Sequence, residues 1–327
     1  MASRARKPTF PGWRMSEITV LGAGAWGTAL AVHAAGLGHA VTLWARDPGR
    51  IGAQNPRLPG VRLPPGLRVG GDVPAAALTL VAVPTQHVRT VLTALRPQGP
   101  VVLCCKGLER DTYLLPLEIA GEALPASPAC VLTGPNFAHE IATGLPAAAV
   151  IAGADPALRA QAIALLAGPT FRLYGNEDAV GAQLGGAAKN VVAVAAGAVM
   201  GAGLGENARA ALVTRGLAEI GRLATALGGR AETVAGLSGM GDLVLTCTGP
   251  SSRNFTLGFA LGRGAAVADA LPADGRAVEA VHTAPALLAR AGGVDLPIIA
   301  AVADLLAGAV SLPGAMARLM TRPLRDE

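Results

Sequence analysis

Aromatic residues are scarce in this chain, at 3% of its 327 residues, and charged residues make up only 15%. No stretch interleaves basic with aromatic side chains, the pattern that pairs phosphate cations with stacking platforms in nucleic-acid binding, so no nucleic acid is expected as a partner. The net charge of +5 does not restore that reading, because four of its charges sit on Arg4, Arg6, Lys7 and Arg14. This tail lacks the apolar core of a secretory signal and Met15 stands just before the first strand, so residues 1–14 read as a basic extension or an upstream start. Cysteines number four, Cys104, Cys105, Cys130 and Cys247, with no CxxC pair. Three lie in or beside apolar runs, which fits reduced, buried thiols in a cytoplasmic protein. The histidines are scattered without ligand spacing, so no metal site is expected. Long apolar runs are missing too. The most tempting one, Asn190 to Gly205, falls short of the roughly 20 residues that cross a bilayer, and no membrane span is expected.

What is present is apolar bulk and glycine: hydrophobic residues reach 51%, with 43 glycines. That is enough for two buried cores, and the length makes two domains the default. Near the start, Ile18-Thr19-Val20-Leu21 runs into Gly22-Ala23-Gly24-Ala25-Trp26-Gly27 and then into an Ala/Leu-rich helix, Thr28 to Leu37. A strand, GxGxxG and a helix in that order form the dinucleotide-binding fingerprint in its required context. Gly22 permits a tight turn, Gly24 lets a pyrophosphate approach the backbone, and Gly27 lets helix and strand pack closely. The helix N-terminus supplies the unpaired N–H groups.

Ala40-Val41-Thr42-Leu43-Trp44 reads as the second strand, and Arg46 follows about twenty residues after the glycines, at the position that reads the ribose. An acid there favours NAD, whereas a cation pairs with a 2′-phosphate, so NADP(H) is the expected preference, with NAD(H) as the second choice. Asp47-Pro48 is also a turn signal. Residues 48–74 are rich in Pro, Gly and Arg and read as a long connection with at most a short helix. Alternation then resumes: strands at 78–83, 101–105, 130–133, 147–151 and 171–174, and helices after Pro84, at 114–122 and at 156–166. This pattern predicts an α/β fold, an N-terminal Rossmann-type doubly wound, mostly parallel sheet over residues 15–178. Beyond it no β-branched run recurs, and helices are expected at 180–199, 208–227, 256–271, 278–291 and 298–307. Residues 179–327 therefore read as an all-helical domain for substrate binding and catalysis. Helices so rich in Gly and Ala pack closely within or between subunits; a homodimer is compatible with them and the sequence does not choose.

Lysine is the rarest cation, with only Lys7, Lys106 and Lys189 against 24 arginines. Lys106 ends an apolar strand and Lys189 lies inside an apolar helix. What lysine offers over arginine is a movable pKa and a proton it can give away; the alternative for each is an incidental, snorkelling cation. Ligands of doubly wound sheets bind beyond the carboxyl ends of the strands, which favours Lys106 and also Gly134-Pro135-Asn136, where Asn136 reads either as a helix cap or as a contact. Ser252-Arg253-Asn254, before an apolar helix, reads as an anion site or as a plain cap with a surface arginine. Asp242 is placed to orient an ammonium or a hydroxyl, or is a simple turn residue after Gly241.

These segments together carry a family resemblance. GAGAWGTALA, Cys105-Lys106-Gly107-Leu108, Leu132 to Ala138, Gln183 to Asn190, Gly205 to Arg209, Leu217-Ala218-Glu219, Gly239 to Cys247 and Ser252-Arg253-Asn254 resemble, in order, NAD(P)-dependent sn-glycerol-3-phosphate dehydrogenase of the bacterial biosynthetic type. The likeness runs from about residue 16 to about 320. It implies interconversion of dihydroxyacetone phosphate and sn-glycerol 3-phosphate for glycerophospholipid synthesis. It also implies roles. Lys189 matches the general acid/base, with Lys106 and Asp242 beside the reacting carbon. Lys106, Gly134, Asn136, Lys189, Asp242, Ser252, Arg253 and Asn254 match substrate positions. Gly22, Gly24, Ala25, Trp26, Gly27, Arg46, Lys106, Ala138, Arg253, Ala277 and Glu279 match cofactor positions. The sequence departs from the family's pattern at three places: Asn136 stands in place of Thr or Ser, Trp26 in place of Tyr or Phe, and Ala280-Val281-His282-Thr283 loses part of the usual motif after Glu279. Two other readings remain, a related reductase of the ketopantoate or 3-hydroxy acid type and a non-catalytic NADP(H) sensor.

Overall fold

The computed structural model describes residues 15–273 and 277–321. The basic extension 1–14 lies outside them, as do Gly275 and Arg276 just before Ala277. Runs of Val, Ile and Leu bounded by Gly, Pro and polar turns form the first half: β1 (Glu17–Leu21), α1 (Ala25–Gly36), β2 (Ala40–Trp44), β3 (Arg68–Gly70), β4 (Leu78–Val81), α2 (Val88–Leu95), β5 (Val101–Leu103), α3 (Pro116–Ala123), β6 (Ala129–Thr133), α4 (Ala138–Thr143), β7 (Ala147–Ala152), α5 (Pro156–Leu166) and β8 (Phe171–Asn176). The strands form one sheet in the order β3-β2-β1-β4-β5-β6-β7-β8. Ile18 to Leu21 pair in parallel register with Val41 to Trp44 on one side and Leu78 to Val81 on the other. The strand order therefore reverses at β1 and β4, and the crevice beyond their carboxyl ends is where a doubly wound sheet takes a ligand.

Two details differ from the expected sheet. β3 was hidden in the 48–74 connection because its three residues, Arg68-Val69-Gly70, form a short edge strand without an alternating apolar pattern. β7 runs antiparallel to β6, so β7 and β8 are reversed relative to the rest. The connection between β6 and β7 holds only α4, six residues long. Such a helix rises about 9 Å, too little to carry the chain back along a strand of about 17 Å, so it turns round at the same end of the sheet.

The second half contains α6 (Ala179–Gly201), α7 (Gly205–Ala226), α8 (Ala231–Val234), a π-helical turn at Leu237–Gly241, α9 (Asp242–Cys247), α10 (Arg253–Gly262), α11 (Val267–Ala270), α12 (Ala280–Arg290), α13 (Pro297–Leu306) and α14 (Leu312–Met320). The helix expected at 256–271 starts earlier and is split into α10 and α11, with Gly264 at φ +92° between them. The short α8, α9 and α14 were not anticipated.

The 23-residue α6 is the axis of this half, and it corrects the reading of the apolar run. Starting at Ala179 rather than Asn190, it is long and apolar enough to cross a membrane, yet 89% of its most apolar window is buried inside the protein. A helix that is apolar all round belongs in a core, and α7, α9, α10, α12 and α13 pack around this one. The packing is close. A Cβ on Gly197 of α6 would collide with the Phe255 carbonyl, and one on Gly258 of α10 with the Val194 carbonyl, so small residues fix the height of α10 against α6.

Candidate active site

Burying α6 on all sides makes each of its polar side chains a problem to be solved, because an unpartnered polar group in a core costs about 1–3 kcal/mol. Gln183 accepts from the Leu117 N–H at 2.9 Å and donates to the Ala179 carbonyl at 2.9 Å, tying α6 to α3 of the sheet half. Asn190 accepts from the Asn254 side chain at 2.9 Å. Lys189, 8% exposed, donates to Asp242 Oδ1 at 2.5 Å and to Thr246 Oγ1 at 2.8 Å.

Asp242 is fully buried, and its second oxygen receives Lys106 Nζ at 2.5 Å. The π-helical turn before it, closed by Gly241 N–H donating to the Gly236 carbonyl at 3.1 Å, places it at the first position of α9, facing both ammonium groups. Wide turns of this kind occur often at functional sites. Asp242 is thus no simple turn residue. Lys106, just past β5, also donates to the Gly134 carbonyl past β6 at 3.0 Å. Two lysines from different halves of the molecule therefore share one carboxylate at the carboxyl ends of the parallel strands. Burial lowers the Lys189 pKa to about 8; Asp242 opposes that shift and the Lys106 charge adds to it. A buried ammonium near neutrality, held in a fixed direction, is suited to giving and taking a proton.

Ser252 caps α10, its Oγ accepting from the Phe255 N–H at 3.2 Å. The helix expected from Thr256 begins at Arg253, so Arg253 and Asn254 belong to its first turn, where N–H groups lie free of intrahelical acceptors and favour an anion. Asn254 links three helices: its amide donates to Asn190 on α6, and its oxygen accepts from the Ala280 N–H at 3.2 Å at the start of α12. Arg253 donates to the Ala277 carbonyl at 2.5 Å. The first turn of α10 is thereby tied both to the lysine-bearing helix and to the Ala277–Glu279 segment. Glu279 is half-buried, with its carboxylate beside Gly107, and burial raises its pKa to about 7 against the pull of Arg253.

Asn136 does not cap α4. The cap position falls on Phe137, one residue later, because α4 begins at Ala138. Both polar atoms of the Asn136 amide are buried, with no hydrogen-bond partner among the described residues. The four cysteines are unpaired. Burial raises Cys105, Cys130 and Cys247 to about 12 and Cys104 well above its usual value, which keeps them as thiols.

The glycine loop fits a dinucleotide. Gly22 lies at φ +110°, and a Cβ there would come within 2.8 Å of Val83, at the end of β4. A Cβ on Gly27 would strike the Gly22 carbonyl. Gly24 has open space around its Cα and is exposed, and Ala25 and Trp26 form the first turn of α1. The loop so formed is a backbone cradle at a helix N-terminus. Asn55, 2% exposed, braces it by donating to the Ala23 carbonyl at 3.0 Å and to Thr28 Oγ1 at 2.6 Å. Sequence reading missed Asn55, whose only signal was a position in the long loop before Pro56, and missed Thr246 and Asn190, which look like ordinary helix residues until their partners fold against them. Arg46 is exposed past the end of β2.

Comparison with known proteins gives matches along most of the chain. Residues 17–159 match the family model for the N-terminus of NAD-dependent glycerol-3-phosphate dehydrogenase, and residues 178–317 match the model for its C-terminus. A glycerol-3-phosphate dehydrogenase [NAD(P)+] of Gluconobacter oxydans is 54% identical over 94% of this chain and 97% of its own length. Another of the same name, from Acidiphilium cryptum, is 55% identical over 95% and 98%. The crystal structure of glycerol-3-phosphate dehydrogenase from Coxiella burnetii superposes with a TM-score of 0.88 at 35% identity, covering 94% of this chain and 99% of that one.

Proposed function

The chain belongs to the NAD-dependent glycerol-3-phosphate dehydrogenase family, and from that premise we infer that it reduces dihydroxyacetone phosphate with NAD(P)H to sn-glycerol 3-phosphate, reversibly, for glycerophospholipid synthesis. NADP(H) and NAD(H) both fit the relatives; Arg46 supports a preference for NADP(H). The observation that carries the reading is the carboxylate of Asp242 shared by Lys106 and Lys189 at the carboxyl ends of the strands.

A nicotinamide cofactor held by the glycine loop would supply the hydride for C2 of the ketone. The chain's own residues do the rest. Lys189 gives a proton from Nζ to the carbonyl oxygen as charge develops there, and takes it back in the reverse direction. Asp242 holds that ammonium in line and keeps the two buried cations from repelling each other. Lys106 lends its charge to the developing alkoxide, the usual task of a preorganised donor in a dry site. Ser252, Arg253 and Asn254 hold the phosphate at the start of α10, so binding energy from the unreacting end positions the carbonyl. Gly134 and Asn136 line the same strand ends; the unpartnered amide of Asn136 supports a contact with the substrate. Gly22, Gly24, Ala25, Trp26 and Gly27 hold the pyrophosphate, with Ala138, Arg253, Ala277 and Glu279 along the cofactor.

In this reading residues 15–178 serve mainly the cofactor and 179–327 the substrate, and the boundary between the two matched family models supports that division. Four unpaired thiols support a cytoplasmic location. A homodimer is compatible with the helical half, and light scattering of the purified protein tests it. The activity itself is tested with purified protein and dihydroxyacetone phosphate, comparing NADPH with NADH and using ketopantoate as control. Turnover of dihydroxyacetone phosphate alone is expected; turnover of ketopantoate alone, or tight cofactor binding with no turnover, contradicts it.

A further inference from the structure

The cofactor half carries two opposite ribose signals side by side. Arg46 is the cation that suits a 2′-phosphate, and Asp47, next to it, is the acid that suits a free 2′-hydroxyl. Left free, the Asp47 carboxylate would accept a hydrogen bond from the ribose of NADH and repel the phosphate of NADPH.

The backbone after β2 separates the two. Pro48–Arg50 form a single 3-10 turn with Asp47 at its N-cap, closed by the Ile51 N–H donating to the Pro48 carbonyl at 3.0 Å. At three residues per turn, side chains three apart lie one above the other, and Arg50 Nε meets Asp47 Oδ2 at 2.7 Å. The turn has no buried residue. What it brings together at its surface is the Arg50–Asp47 ion pair. With side chains 85% and 56% exposed, the ion pair adds little to folding, so its consequence lies in what it leaves for a ligand.

We propose that Arg50 is a specificity-determining residue: by pairing with Asp47 it withdraws the acid from the ribose, leaves Arg46 to read the 2′-phosphate, and tips the enzyme towards NADPH. The proposal rests on the reading of Arg46 as the phosphate cation. Arg50 acts through Asp47 and needs no contact of its own with the cofactor.

The test is a double-mutant cycle read both as the ratio of the Kd for NADH to that for NADPH, from fluorescence titration of each cofactor, and as the ratio of kcat/KM for NADPH to that for NADH, with dihydroxyacetone phosphate as substrate. Arg50→Ala is expected to lower each ratio about fivefold, an exposed ion pair's worth, with NADH improving as NADPH worsens. In the Asp47→Asn background the same replacement is expected to move each ratio less than about twofold, because no acid is left to release. An unchanged ratio in Arg50→Ala overturns the proposal. So does an equal drop in both backgrounds, which would make Arg50 a direct phosphate ligand. Arg46→Ala separates the premise from the inference: an unmoved ratio there overturns both, whereas a lowered ratio there beside an unmoved one in Arg50→Ala overturns the inference alone.

Discussion

The two ends of the cleft handle charge in opposite ways. At the chemical end, Asp242 and Lys189 are buried, Lys106 is mostly so, and every one of them has its partner fixed at hydrogen-bond distance. At the ribose end, Arg46, Asp47 and Arg50 are exposed, the last two at a single 3-10 turn. Burial strengthens each electrostatic interaction and shifts a pKa, whereas exposure screens it. On the proposed function, the buried end serves to move a proton and the exposed end to choose between two similar cofactors. The difference also sets the size of effect that substitutions should have at each end.

The largest effect belongs to Lys189. Lys189→Arg keeps the positive charge but removes the readily donated proton, and turnover of dihydroxyacetone phosphate is expected to fall at least ~100-fold while cofactor binding, followed by fluorescence, persists. Near-normal turnover would strip Lys189 of its acid/base role and erase the contrast between the two ends.

Asp242→Asn comes next. It leaves two cations in the buried site without their shared anion, so kcat is expected to drop about 10- to 100-fold. Because Asp242 raises the Lys189 pKa, its loss is expected to move the alkaline limb of the reduction profile to lower pH; an unmoved limb would mean that the carboxylate does not tune the lysine.

A buried charge outside the cleft sharpens the comparison. Glu219 on α7, 2% exposed, accepts from the Ile298 and Ile299 N–H groups at 2.7 and 3.2 Å and so caps α13. Glu219→Ala is expected to lower stability by about 2–3 kcal/mol in chemical unfolding, with little change in kcat/KM. Burial raises its pKa from 4.5 to about 7. The folded state thus binds this proton more tightly than the unfolded state. Its favourable contribution is complete below about pH 4.5 and is lost as pH rises through 7. Unfolding of the Glu219→Gln variant should lack that slope. A smaller effect is expected from Arg46→Ala, a loss of about tenfold in NADPH preference over NADH, measured as the ratio of kcat/KM values, and a smaller one still, about fivefold, from Arg50→Ala.

The same contrast explains what the sequence disclosed. The glycine loop, β1 and β2 were legible because their chemistry is local: one turn, one strand, one helix start, read within 30 residues. Lys106, Lys189 and Asp242 were visible as candidates through lysine scarcity and apolar surroundings, and the family's motifs supplied their roles. Their meeting was not visible, because it depends on contacts 136 and 53 residues apart in the chain. Thr246 and Asn190 gained significance only from those long-range neighbours. The reversed β7 was missed because strand direction depends on the reach of a six-residue helix, and apolar patterning carries no record of direction. Asn136 was offered as a cap by residue type, and a shift of one residue in the start of α4 placed the cap on Phe137.

Passage of the proton in both directions by one buried lysine is tested by kcat/KM against pH for the forward and reverse reactions at saturating cofactor. With Lys189 titrating near pH 8, reduction of dihydroxyacetone phosphate should fall as pH rises through that value, when the ammonium is lost. Oxidation of glycerol 3-phosphate should rise through the same value, when the amine becomes available as base. Two profiles that rise or fall together across pH 8, or a reduction rate that grows above it, would contradict the account.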